Sequence, residues 1–336
     1  MNNDQGINFE ENLGQQDANI TNKIKNVAKA AAHTVSIAMH PLVEEYAQLF
    51  THGARTPVLR RPSDIGLEYE DVTFPSMDGV PLEAWFIPAD SDKLLIINHP
   101  MPCNRYGFPG HITPWNTMFG GFEVNLLPEL KHLHDAGYNI LTYDLRNHGL
   151  SGTGNGGLAG IGYFECRDVI GSLWYAKSHK DLANMTTGLY SRCMGGNSTI
   201  IAWNRWSQEF EHIKALVLLQ AVSGRTFIEK GAERIHLDPQ KAAQQLDQRL
   251  QEIAGLRLDE LSPQAYAHSV NVPTLQVQVR RDFLIHSSDT QEIFDALGTT
   301  QKELFWIEGS DQRFYGYNYF GQYPEKLVGW FDRYMN

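Results

Sequence analysis

Cys193 occupies the setting with the most chemical promise in this 336-residue chain. It lies in Thr186-Thr-Gly-Leu-Tyr-Ser191-Arg192-Cys193-Met194-Gly195-Gly196-Asn197-Ser198, where a strand-like run ends and a helix-like run opens at once. The form is small–x–nucleophile–x–small–small, with Ser191, Gly195 and Gly196 as the small residues. Small residues are needed because the nucleophile of so tight a bend takes strained backbone angles and the next helix packs hard on the strand. Such a bend presents a thiol over a helix N-terminus, whose dipole and free amides lower a thiol pKa below the usual value of about 8.5. The Met194 amide is then one candidate oxyanion donor. The competing reading is that Cys193 is a packed apolar residue, as cysteines often are; the strand–turn–helix context favours chemistry. Cys103 and Cys166 lack that context and read as inert packing or surface thiols.

The elements that must hold this bend are legible around it. Short runs rich in Leu, Ile, Val or aromatics at 70–75, 82–87, 94–98, 139–143, 186–190, 215–220, 274–279 and 303–307 read as strands. Met77-Asp78-Gly79 marks a hairpin turn between the first two. Helical stretches such as 126–134 and 164–178 separate the later runs. This alternation predicts an α/β fold, a mostly parallel sheet of about eight strands with helices on both faces. Ala242, Leu246, Leu250 and Ile253, at helical spacing, mark a helical cap insertion over about 224–268, above the strand ends where ligands bind. Residues 1–66 read as a helical N-terminal extension and 67–336 as the main domain. In the extension, Ile20, Ile24, Val27, Ala31 and Val35 recur at helical steps, and Pro41 opens a second helix with Leu42, Val43, Tyr46, Leu49 and Phe50 on one face. These helices read either as a cover for the main domain, the favoured reading, or as an arm for homodimerisation or a membrane surface.

Bulk composition narrows the partners. A formal charge of −11 disfavours nucleic acid and anionic membrane surfaces. No apolar run approaches the roughly 18 residues of a membrane span, and the polar start shows no signal pattern. Three cysteines without a paired or zinc-type spacing fit a reducing compartment, so a cytoplasmic protein is expected. Gly152-Thr-Gly154-Asn-Gly156-Gly157 lacks the Gly-Lys-Ser/Thr of a phosphate loop, and no paired histidines stand at ligand spacing. Neither a cofactor nor a metal is therefore expected.

Further motifs sharpen the reading. Asp78-Gly79 with Leu82-Glu-Ala-Trp85-Phe86-Ile87-Pro88, Asn98-His99-Pro100-Met101, and Tyr143-Asp144-Leu145-Arg146-Asn147-His148-Gly149-Leu150-Ser151-Gly152 join the Cys193 bend. With them the chain resembles the α/β-hydrolase superfamily over roughly 68–335, and within it the dienelactone-hydrolase-type and esterase-like members that use cysteine. The resemblance implies a second oxyanion donor after the third strand; Pro100 has no N–H, so the Met101 amide takes that part. It implies a loop-fixing role for His148, and Asp282, after the seventh strand, as the acid of a triad. The triad histidine should follow Glu308-Gly309, yet the residue there is Gln312, and no histidine follows His286.

That departure changes the chemistry open to the site. A serine without a base would be inert, whereas a few per cent of an ordinary cysteine is thiolate near pH 7. Such a thiol can accept an acyl group from a small ester, lactone or thioester, free or carrier-bound, but an amide side chain cannot activate water to release it. Three outcomes stay open. Another histidine replaces the missing one, with His286 best placed and His99 and His111 behind it. Alternatively, the acyl group passes to an amine, thiol or internal nucleophile, or the pocket only binds a ligand on a retired site. His99, Trp115, Phe119, Tyr315 and Tyr317 are the candidate substrate contacts, the last two from the aromatic stretch 314–323.

Overall fold

The computed structural model describes residues 40–117 and 120–336. The helix expected over 20–35, with the dimer arm it suggested, and Phe119 lie outside the described residues. Leu42–Asn336 form one compact unit.

Its centre is an eight-stranded sheet. In chain order the strands are β1 (Glu70–Pro75), β2 (Pro81–Ile87), β3 (Lys93–Asn98), β4 (Asn139–Tyr143), β5 (Thr186–Arg192), β6 (Ile213–Leu219), β7 (Thr274–Val279) and β8 (Lys302–Ile307). Their spatial order is β1-β2-β4-β3-β5-β6-β7-β8. Only β2 runs against its neighbours; every other pair is parallel. The apolar runs form strands because both faces are covered: Leu94, Leu95, Ile96 and Ile97 of β3 are all buried. Leu95 and Ile97 join one core cluster with Leu127, Leu130 and Phe331, while α3 (Cys166–Ser178) and α4 (Met194–Arg205) pack together elsewhere. The remaining helices that bear on the site are α1 (Pro41–Thr51), α2 (Leu127–Asp135), α5 (Gly224–Arg234), α6 (Pro239–Ala254), α7 (Ser287–Ala296), α8 (Arg313–Gln322) and α9 (Glu325–Tyr334).

Register places the chemistry. Asn98 at the end of β3 pairs with Tyr143 of β4 on one side and Ser191 of β5 on the other. The segments leading to Met101, His148 and Cys193 therefore leave the sheet side by side. Asn98 also binds this corner through its side chain: it donates to Ser191 Oγ at 2.8 Å, and Ser191 Oγ meets Thr199 Oγ1 of α4 at 2.8 Å.

The insertion between β6 and β7 is helical, comprising α5, α6 and three short 3-10 turns. Helix α1 packs on it. Tyr46, Phe50 and Phe227 form an aromatic triangle with centroids 5.7–6.3 Å apart, and Glu44 bonds Arg249 of α6 at 2.9 Å. A Cβ at Gly231 would lie 3.0 Å from the Tyr46 ring, so the small residue lets α1 and α5 approach. No helix among the described residues is long and apolar enough to cross a membrane.

Candidate active site

Cys193 turns the chain from β5 into α4 with φ 46° and ψ −113°. A positive φ at a residue with a side chain costs on the order of 1–3 kcal/mol, so the surroundings must enforce it. They do so from both sides. The Cys193 amide donates to Leu219 O of β6 at 2.8 Å, and its carbonyl accepts from Asn197 N at 2.9 Å. At Gly195 a Cβ would come within 2.7 Å of Asn98 O, so the helix can approach β3 only because no side chain is there.

The residue is 5% exposed and opens on a cavity of about 460 Å³. Its floor carries Cys193, Met101, Pro102 and Tyr317; Leu42, Tyr46, Leu49 and Phe50 of α1 and Phe227 of α5 roof it. Almost every wall group is apolar or aromatic. Glu45 is exposed, and Arg313 is the cation of the lining.

Arg313 is the group that reading the sequence missed. It follows Gln312 directly, is buried, and opens α8. Its guanidinium donates to Asp282 Oδ2 at 2.8 Å and to the Gln220 carbonyl. Burial opposes its charge, but nearby Tyr317, Asp282 and Cys193 favour it more strongly, and its pKa ends above the ordinary arginine value. Asp282 also accepts from Gln278 Nε2 and Leu284 N, each at 2.9 Å. Its carboxylate thus holds Arg313 and its own loop through three donors. A signal for Arg313 existed: Arg313, Phe314, Tyr317 and Phe320 share a helical face, and all four are buried.

Tyr317 stands one turn further along α8. Burial raises its pKa well above the usual value; Arg313 acts in the opposite direction, and Cys193 adds to the rise. Its hydroxyl is buried without a hydrogen-bond partner of acceptable geometry.

The other expected site residues divide. Met101 lines the cavity, and Met194 opens α4, in the turn whose amides have no intrahelical acceptor. Gln312 precedes α8 and is absent from the cavity wall; its side-chain oxygen lies near Gly120. His286 caps α7 and faces Glu233, Nε2 to Oε1 at 3.3 Å, lining two other clefts. His99 is buried: its Nε2 accepts from Leu145 N at 2.9 Å, which leaves Nδ1 to donate to Pro100 O at 2.8 Å. It braces the loops that flank the site and does not reach the cavity. Trp115 meets Phe108 edge-on and Tyr315 is half-buried against the core, both off the cavity wall. His111 is exposed. Among the described residues, no histidine lines the cavity.

Two charged clusters brace the floor. Arg192 is buried, pairs with Glu129 of α2 and stacks over the Tyr190 ring at 3.8 Å. Asp144 accepts from Arg105 N, Arg105 Nη1 and Leu150 N at 2.7–2.8 Å, fixing the loops after β3 and β4. His148 contributes there through Nδ1 and the Arg146 carbonyl, 2.9 Å apart.

No protein-family model matches the chain. An uncharacterised Bacillus subtilis protein, YqkD, is 26% identical over 250 residues, 71% of this chain and 74% of that protein. An esterase of Pyrococcus furiosus superposes with a TM-score of 0.62 at 20% identity, covering 85% of this chain and 99% of that one. A Penicillium α/β hydrolase (TM-score 0.55) and a dienelactone hydrolase of Anabaena variabilis (0.51) each superpose at 15% identity, covering 80% of this chain and 99% of theirs. With the observed strand order and the strained bend at Cys193, these likenesses show that this chain has the α/β-hydrolase fold.

Proposed function

We propose that the protein performs acyl chemistry through Cys193, taking an apolar acyl group from an ester, lactone or thioester and passing it to an acceptor other than bulk water. One observation carries the reading: the thiol sits at a strained, enforced bend on the floor of an apolar cavity, beside the fixed cation Arg313. The amides of Met194 and Met101 are its oxyanion donors.

The missing histidine decides which substrates suit such a site. When the Cys193 thiolate attacks a thioester, a new C–S bond forms at its sulfur and the old C–S bond breaks. The electron pair leaves on a thiol whose pKa is near 8.5, so no proton need be supplied. In the second half an acceptor thiol or amine forms its bond to the acyl carbon as the C–S bond to Cys193 breaks, and the proton that the acceptor loses goes to the departing Cys193 sulfur. Hydrolysis requires a base to activate water, and Asp282 is committed to three donors. That same commitment supports a second reading, a ligand-binding protein whose cavity holds an apolar acid or ester without turnover. The free thiols of Cys103, Cys166 and Cys193 suit a reducing compartment in either case.

Intact-mass measurement after incubation with a generic acyl thioester separates the two. The acyl reading expects one covalent adduct, absent in Cys193→Ala. A wild-type protein that stays unmodified while its cavity takes up apolar ligand reversibly establishes the binding reading instead.

A further inference from the structure

Tyr317 has a property that the thioester reading leaves unused. Its hydroxyl is buried and makes no hydrogen bond of good geometry; what it meets on the cavity floor is the side chain of Cys193. Folded proteins rarely leave such a group unsatisfied, so a hydroxyl of this kind at a cavity wall points to something that arrives with the ligand. Arg313 and Tyr317 lie four positions apart on α8 (Arg313–Gln322), which puts both on one helical face. The face is fixed, because Arg313 is tied to Asp282 at 2.8 Å and to the Gln220 carbonyl.

Burial keeps the phenol protonated, and both Cys193 and Arg313 act electrostatically on it. In the resting protein it is therefore a proton donor and not a base. Tyr46, the other phenol of the cavity lining, sits in the roof, engaged in the aromatic triangle.

We infer that Tyr317 is the catalytic proton donor of this site, the group that lets it act on those oxygen esters and lactones whose leaving groups are unactivated alcohols, which thioesters do not require. The inference rests on the Cys193 reading. Attack by the Cys193 thiolate forms the C–S bond and breaks the C–O bond. The leaving oxygen takes the Tyr317 proton, and the phenolate that remains lies beside the Arg313 cation. In the second half the acceptor gives its proton to Tyr317 as it attacks the acyl–sulfur bond. The Cys193 thiolate leaves, and both residues return to their starting states.

The test compares acylation rates of full-length wild type and Tyr317→Phe by time-resolved intact mass, with one acyl group on three leaving groups: an alkyl thiol, nitrophenol and a simple alcohol. A general acid contributes roughly 100-fold or more. The expected result is a loss of that size for the alkyl ester alone, with thioester and nitrophenyl ester little changed; their retained reactivity also shows that the variant folds. Equal losses for all three leaving groups, or no loss for any, overturn the role of Tyr317 and leave Cys193 standing. A wild type that none of the three acylates overturns the Cys193 reading itself, and this inference with it.

Discussion

A guanidinium is a permanent cation, so Arg313 can hold negative charge beside Cys193 but cannot ferry a proton. The charge is affordable in the interior only because Asp282 matches it; each side chain is 2% exposed. Removing one partner of such a pair leaves a buried charge uncompensated, a loss of about 3–5 kcal/mol, whereas exchanging both for apolar groups is often close to neutral. Asp282→Ala should therefore lower the unfolding free energy by about 3–5 kcal/mol in urea titrations, and Asp282→Leu with Arg313→Met should cost clearly less. A double variant as unstable as the single one would refute the pairing. Legibility at this scale was uneven. The bend at Cys193 was legible from local context, and the place of Asp282 after β7 from a resemblance. Arg313, one position past the expected Gln312, carried only its helical spacing with Phe314, Tyr317 and Phe320, and that spacing does not say which way α8 turns its first residue.

Helix α1 shows how an element acquires a purpose from its neighbours. Its periodicity identified an apolar face, but that face is divided in the fold. Val43 and Ala47 are buried completely, whereas Leu42, Tyr46 and Leu49 line the cavity. Core and cavity wall are both apolar, so hydrophobic spacing alone cannot tell them apart. The anchoring contacts of α1, the Glu44–Arg249 bond and the aromatic triangle, join it to the cap. Leu49→Trp should then shorten the acyl groups that react: acetyl thioester labelling of Cys193 persists, while labelling by a long-chain acyl thioester falls, because the indole fills part of the cavity that Leu49 lines. An unchanged chain-length profile in the mass assay would remove α1 from the substrate chamber.

The molecule as a whole carries a pH dependence in its buried histidines. Burial chiefly, and neighbouring His148 next, hold the His99 pKa well below the ordinary value. The unfolded chain takes up that proton near pH 6.5 and the folded one does not, so stability is complete above this pH and declines as pH falls through it. His148, lowered mainly by burial, adds to the effect of His99 in the same direction. Urea midpoints should fall from pH 7.5 to 5; a midpoint constant over this range contradicts the buried neutral state of both rings.

The sequence by itself determined the architecture. The eight apolar runs, the bend at Cys193 and the helical insertion all rest on local patterns: period, turn residues and the small residues that close packing demands. Strand limits moved by one or two residues, as at β5, which runs on to Arg192. The environment of the sulfur was a tertiary matter. His286 lies four residues after Asp282 yet faces Glu233, while Arg313, thirty-one residues on, reaches that carboxylate at 2.8 Å. Which side chains converge on one atom depends on how β7, β8 and α8 meet in space, and separation along the chain carries no record of that.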